Sequence, residues 1–185
     1  MHPDERSRGD DVSDVAYRTV ESPVGALLLA ATDAGLVRVA FEYEGFEAVV
    51  EQLSTRLRAR ARQSNSRLDG VSRELECYFA GQLRAFTVPV DHALSSGFRR
   101  KVLRRLPRIP YGSSASYQDV ARLAGSPRAA RAVGTACATN PVPIIVPCHR
   151  VLRSDGTLGG YSGGLDVKRF LLALEQPDGA SYAAS

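Results

Sequence analysis

Asn140-Pro141-Val142-Pro143-Ile144-Ile145-Val146-Pro147-Cys148-His149-Arg150-Val151 is the stretch on which the fold and the chemistry of this 185-residue chain turn. Asn140-Pro141 stops the helix before it, because the residue ahead of a proline is pushed out of the helical region. Ile144-Ile145-Val146 reads as a short buried strand, ended by Pro147, that delivers Cys148-His149-Arg150 to whatever lies beyond. An unperturbed thiol with a pKa of ~8.5 is only a few per cent thiolate at neutral pH, so useful chemistry needs a base or a positive field nearby. His149 and Arg150 could supply either. Adjacent side chains on an extended segment point to opposite sides, which makes a water between Cys148 and His149 the natural link. The expectation is a sulfur ionised at the mouth of a pocket.

Working upstream, Ser126 reads as a helix cap, with Pro127 in the first turn. That helix carries Ala129, Ala130, Ala132, Gly134, Ala136 and Ala138 beside Arg128 and Arg131. A face this small suits a minor groove ~6 Å wide better than a major groove ~12 Å wide, and it equally suits tight packing on another protein helix. Before it, Ser116 with Asp119 three residues later makes a capping-box start for Tyr117 to Leu123, and Gly125 ends that helix. Two short helices about a glycine turn are a helix-turn-helix pattern. Further back, Ser95 or Ser96 caps a helix with Phe98, Val102, Leu103 and Leu106 inward and Arg99, Arg100, Lys101, Arg104, Arg105 and Arg108 on its other positions. Pro110-Tyr111-Gly112 then breaks the chain.

The first half reads differently. Ala16 to Phe41 alternates as strands do, with turn signals at Ser22-Pro23-Val24-Gly25 and Asp33-Ala34-Gly35, giving a three-stranded antiparallel meander. Phe46, Val49, Val50 and Leu53 recur at helical spacing, as do Leu75, Tyr78 and Phe79 before a short apolar strand around Phe86 to Val90. Cys77 is expected in core or half-buried packing. The expected class is α/β (α+β): a tail over 1–14, a small N-terminal α/β domain with an antiparallel sheet over 15–94, and a mostly helical C-terminal domain with a helix-turn-helix and an active-site loop over 95–185.

The net charge of +4 conceals an asymmetry. Residues 1–94 carry 11 basic and 15 acidic side chains, a balance of −4, and residues 95–185 carry 13 and 5, a balance of +8. Twenty-two of the 24 basic residues are arginine, the side chain best shaped to grip phosphate oxygens, so the second half suits a polyanion. Cys77, Cys137 and Cys148 follow no disulfide or zinc spacing, which fits a reducing cytoplasm and no metal. No apolar run approaches the ~20 residues of a membrane-spanning helix.

The stretch from Asn140 to Val151 strongly resembles the signature of the O6-alkylguanine-DNA alkyltransferases. The likeness continues through Gly159-Gly160-Tyr161-Ser162-Gly163-Gly164 and Leu171-Leu172-Ala173-Leu174-Glu175, and begins upstream at Ile109-Pro110-Tyr111-Gly112 and Ser116-Tyr117. It covers about 95–175 closely. The resemblance implies a direct-reversal repair protein that moves an alkyl group from O6 of guanine to its own Cys148 once and irreversibly, without a cofactor. It implies that His149 draws off the thiol proton through a water, that Glu175 orients the imidazole, and that Asn140 braces the cysteine turn. Arg131 would fill the gap left by an extruded nucleotide, with Ala130, Ala132 and Gly134 leaving room, and Tyr117 would press on a phosphate and then contact the base. The carbonyls of Cys148 and Val151 would accept from the guanine amino group, with Tyr161 and Ser162 on the other side. The implied partner is double-stranded DNA containing O6-alkylguanine, met by a monomer; clustering along DNA and action on O4-alkylthymine stay open. For Glu175 to reach His149, the last helix must fold back, with Val167, Phe170, Leu171 and Leu174 as its docking stripe.

Two other readings compete. A damage-binding or regulatory protein would keep the helix-turn-helix, but non-repairing relatives lack the acceptor cysteine and no added regulatory domain is evident. A thiol hydrolase using Cys148 and His149 would turn over many times, whereas a stable thioether permits one event. The glycine pairs at 159–160 and 163–164 match no nucleotide-binding fingerprint.

Overall fold

The computed structural model describes residues 14–176, so the expected N-terminal tail falls outside the described residues except at its last position. The meander forms as its alternation demands. Strands β1 (Asp14–Val20), β2 (Leu27–Thr32) and β3 (Gly35–Phe41) pair antiparallel, Ala16 opposite Ala31 and Leu28 opposite Ala40. The central strand is buried on both faces. Leu27, Leu29 and Ala31 enter one apolar cluster, and Leu28 and Ala30 enter another, as a period of two requires. Helix α1 (Phe46–Leu57) covers the second cluster with Val49 and Leu53. Helix α2 (Asp69–Phe79) covers the first with Val71, Leu75 and Tyr78. Each leucine fully withdrawn from water here contributes roughly 1.5–3 kcal/mol.

The sheet is mixed rather than purely antiparallel. A fourth strand, β4 (Arg60–Gln63), runs parallel to β1 at one edge. Its sequence, Arg-Ala-Arg-Gln, carries no apolar alternation because an edge strand with both faces wet needs none, and the charges discourage pairing with another chain. At the opposite edge, β3 offers its free amides and carbonyls to irregular chain: Leu36 N–H donates to Pro89 O and Asp91 N–H to Leu36 O, each at 2.8 Å, and Val39 N–H donates to Pro141 O at 2.8 Å. The strand expected around Phe86 to Val90 is reduced to a single bridge between Leu36 and Val90, since Pro89 has no N–H to extend a ladder. Cys77 is exposed on α2 rather than packed.

In the second half α3 (Gly97–Arg105) buries Val102 and Leu103 and leaves Arg100, Lys101 and Arg104 in solvent. Helix α4 (Tyr117–Leu123) has the expected capping box: Asp119 N–H donates to Ser116 Oγ and Ser116 N–H to the Asp119 carboxylate. It ends at Gly125, whose φ of 77° lets Ser126 N–H reach back to Ala121 O and Gly125 N–H to Arg122 O. Helix α5 (Ala130–Ala138) starts later than Ser126, because Ser126 O accepts from Ala129 N–H in a separate turn through Pro127. Helix α6 (Leu165–Leu174) docks through Lys168, Leu171, Leu172 and Glu175, with Val167 and Leu174 of the expected stripe partly buried against the first cluster and Phe170 38% exposed beside Phe79.

Two features join the halves and set the position of the site. The first apolar cluster is continuous from Leu27, Leu29 and Tyr78 to Val102, Val133, Ile144 and Leu171. A short parallel pair, β5 (Ala115–Ser116) with β6 (Val151–Leu152), ties the start of the helix-turn-helix to the segment just after Cys148.

Candidate active site

Ile144-Ile145-Val146 is a tight turn and not a strand. Ile145 N–H donates to Pro143 O, Val146 N–H to Val142 O and Cys148 N–H to Val146 O, and Ile144 sits at φ 73°. That conformation is disfavoured for a β-branched residue by about 1–3 kcal/mol, so its surroundings must hold it. Asn140 does much of this. Its Oδ1 accepts from Val142 N–H at 3.0 Å, and its Nδ2 donates to Val146 O at 2.9 Å and to Cys148 Sγ at 3.2 Å.

Cys148 is 2% exposed. Burial pushes the Cys148 thiol up to about 11, against the pull of the Asn140 hydrogen bond and the Lys168 ammonium. The expectation of a sulfur already ionised at a pocket mouth is therefore corrected: the resting group is a neutral thiol, enclosed but with polar neighbours. Its ionisation must be coupled to a base.

Cys148-His149-Arg150 forms one 3-10 turn, which throws these three side chains in different directions. His149 is fully buried, with Nε2 2.7 Å from Glu175 Oε1. Glu175 Oε1 also accepts from Tyr78 Oη at 2.7 Å and Arg150 Nη2 at 2.9 Å. Its Oε2 accepts from Arg150 Nε at 2.8 Å and from Gly112 N–H at 3.3 Å. Burial alone would raise the Glu175 carboxyl, but these donors outweigh it and hold it at about 2. Burial, helped by the Arg150 and Lys168 charges, lowers His149 against the pull of the Glu175 carboxylate, so the imidazole is neutral near pH 7. An ionised carboxylate only accepts, so the imidazole proton lies on Nε2 and the lone pair on Nδ1. His149 Nδ1 is buried with no protein partner among the described residues.

Around this pair stand the side chains expected to meet a substrate. Tyr117 is half-buried between Gly134 and Gly159; a Cβ on Gly159 would overlap the phenol, with ring carbons 2.8 and 2.9 Å away. Burial, with the two sulfurs of Cys137 and Cys148 in reach, lifts its pKa to about 12, so it keeps its proton. Tyr161 packs edge-on to His149, centroids 6.5 Å apart. Tyr161 Oη and Ser162 Oγ are buried polar atoms without protein partners among the described residues. The 159–164 loop leans on the first half of the chain: Tyr161 meets the Phe41 ring edge-on at 6.1 Å, and Tyr43 Oη donates to Ser162 O. Of the two carbonyls expected at the base, Cys148 O already accepts from Val151 N–H and Val151 O from Lys168 Nζ at 2.7 Å, leaving each one lone pair. Arg131 and Ala132 lie on the open face of α5, apart from this cluster, with Ala130 half-buried at its start.

Two contributors are not marked by the sequence, and a third takes a role other than the expected one. Tyr78 belongs to an apolar stripe by its spacing, and nothing local marks its hydroxyl as aimed at a carboxylate 97 positions away. Arg150 turns to Glu175 and Ile109 O rather than to the sulfur. Lys168 is fully buried, although a lysine beside an apolar helical stripe reads as a solvated position. Among the described residues no three of His, Cys, Asp and Glu lie together as metal ligands, and no helix is long and apolar enough to cross a membrane.

Comparison with known proteins agrees with this geometry. Residues 97–177 match the family described as 6-O-methylguanine DNA methyltransferase, DNA binding domain, and residues 15–92 match its ribonuclease-like domain. A methylated-DNA-protein-cysteine methyltransferase of Mycolicibacterium paratuberculosis is 43% identical over 162 residues, covering 88% of this chain and 93% of the relative. The constitutive one of Bacillus subtilis is 37% identical, covering 86% and 94%. A crystal structure of the Mycobacterium tuberculosis O6-methylguanine methyltransferase superposes with a TM-score of 0.74 at 38% identity, over 92% of this chain and 96% of that one. A structure of the M. tuberculosis protein in complex with DNA gives 0.74 at 38%, over 90% and 98%. With both halves matched in order and relatives aligned over nearly their whole length, this chain belongs to the 6-O-methylguanine DNA methyltransferase family.

Proposed function

We propose that this chain is a direct-reversal DNA repair protein that takes a methyl or other alkyl group from O6 of guanine in double-stranded DNA onto Cys148, once per molecule. The observation that carries the reading is the ordered set Cys148, His149 and Glu175, with a free lone pair on buried His149 Nδ1 and the thiol held by Asn140. His149 Nδ1 takes the thiol proton through a bridging water, and Glu175 stabilises the imidazolium that results. The thiolate attacks the alkyl carbon; the sulfur–carbon bond forms as the carbon–O6 bond breaks, and the proton returns to the guanine leaving group. The positive Lys168 beside the sulfur favours the ionised state. Burial, which raises the resting thiol, spares it from adventitious oxidants.

A stacked guanine must leave the duplex to reach Cys148, at a cost of a few kcal/mol. In this reading Arg131 fills the vacated stack from the open face of α5, past the small Ala130, Ala132 and Gly134. Tyr117 contacts the backbone and then the base, and the carbonyls of Cys148 and Val151 take the guanine amino group. Tyr161 and Ser162 face the other edge; their unpartnered hydroxyls support a polar ligand there. The protein acts as a monomer in the cytoplasm, divided near residue 95 into a supporting unit and a DNA-binding, catalytic unit.

Reaction with a duplex containing methylated guanine tests the assignment. Peptide mass after one pass should show a single added methyl on the peptide containing Cys148, with none on Cys148→Ala, which still binds DNA. A methyl on another residue, or many turnovers per molecule, would defeat it.

A further inference from the structure

Tyr78 lies on α2, outside the C-terminal half that carries Cys148, His149 and Glu175, yet it is fully buried and reaches into their hydrogen-bond set. Its hydroxyl donates to Glu175 Oε1 at 2.7 Å, the same oxygen that receives His149 Nε2, and stands 3.5 Å from that nitrogen. The ring is fixed on three sides by Phe79, Phe86 and Tyr111, at centroid distances of 5.5, 5.1 and 6.2 Å. A ring so held aims its O–H without conformational search.

We propose that Tyr78 is a positioning residue of the transfer reaction, through which the first half of the chain holds the Glu175 carboxylate and sets the basicity of His149. This rests on the reading of Cys148, His149 and Glu175 given above. The argument is one of competing donors. Tyr78 O–H, Arg150 Nη2–H and His149 Nε2–H share one carboxylate oxygen, and each donor draws charge from the bond to the others. With the phenol present, Glu175 supports the imidazolium less strongly than a bare carboxylate would, which keeps His149 unprotonated and able to accept. The other charged or titratable groups facing the pair are Arg150 and Lys168, which also oppose a charged imidazole, and Tyr111, Tyr161 and Cys148, which are neutral at pH 7.

Tyr78→Phe in the full chain keeps the ring packing and removes only the donor. Two readouts follow. The imidazole resonances of His149 in the unreacted protein, followed by NMR across pH, should show the midpoint moving up by about one unit, because the carboxylate now bonds more strongly to the imidazolium. The single-turnover methyl-transfer rate at saturating duplex should fall several-fold near pH 6, approach about a tenfold loss at pH values well below the wild-type midpoint, and recover towards pH 8, with the half-saturating DNA concentration unchanged. A site-specific 3-fluorotyrosine in place of Tyr78, a stronger donor, should move the midpoint the opposite way. A His149 midpoint unmoved in both proteins would overturn the proposal and leave Tyr78 as packing. Because the resonance shift needs no transfer, failure of the wild-type chain to methylate Cys148 would defeat the underlying reading without being confused with this outcome.

Discussion

Glu175→Gln is the perturbation whose size follows most directly from the site. The carboxyl is held at about 2 against an ordinary 4.5, a difference worth ~3 kcal/mol between its ionised and protonated forms at 1.36 kcal/mol per unit. Because the folded value is depressed, that stabilisation is complete above pH 4.5 and is lost as pH falls towards 2. An independent argument gives a similar size: glutamine leaves Arg150, 5% exposed, without its counter-charge, and breaking a buried ion pair from one side costs about 3–5 kcal/mol. At ~2–4 °C per kcal/mol for a chain of this length, Glu175→Gln should melt about 10 °C lower at pH 7. Calorimetry of both proteins from pH 7 to pH 3 checks this, and the gap should narrow below about pH 4.5, where the carboxyl takes up protons in the unfolded chain while the folded one stays ionised. A gap below ~2 °C at pH 7, or one that stays constant to pH 3, would refute the account of Glu175 as an ionised hub.

Two further outcomes are expected. Gly159→Ala places a methyl where the Tyr117 phenol lies, so the ring must move; stability should drop by about 1–3 kcal/mol in urea titrations, and the transfer rate should fall at every pH. Arg131→Ala should slow transfer from a methylated-guanine duplex at least tenfold while leaving reaction with the free modified base nearly unchanged, since only the duplex has a stack to refill; equal losses on both substrates would remove the extrusion role.

Most of the fold was legible because its patterns are local. The meander declares itself by alternation from Ala16 to Phe41, and α4 by Ser116 and Asp119. The likeness of the Asn140 to Val151 stretch to a family signature named the residues around Cys148. What stayed hidden depends on contacts remote in sequence. Strand β4 has no apolar face to advertise it, and its pairing exists only because β1 offers an edge. The Ile144 turn looks like a strand by composition and is bent by Asn140, Pro141 and Pro143 against the preference of its isoleucines. The raised thiol of Cys148 comes from enclosure by the whole fold, which no dipeptide reveals.

The bond from Val39 N–H to Pro141 O carries a consequence for how this protein can change. It fastens the outermost strand of the sheet to the loop that presents the nucleophile, so the height of that loop is gauged against a hairpin more than a hundred residues earlier. A one-residue insertion in the Thr32 to Gly35 turn would slide the strand, reverse which of its amides face outward, and unhook the loop without altering any residue near it. Variation in the first half is therefore freest in side chains and narrowest in length.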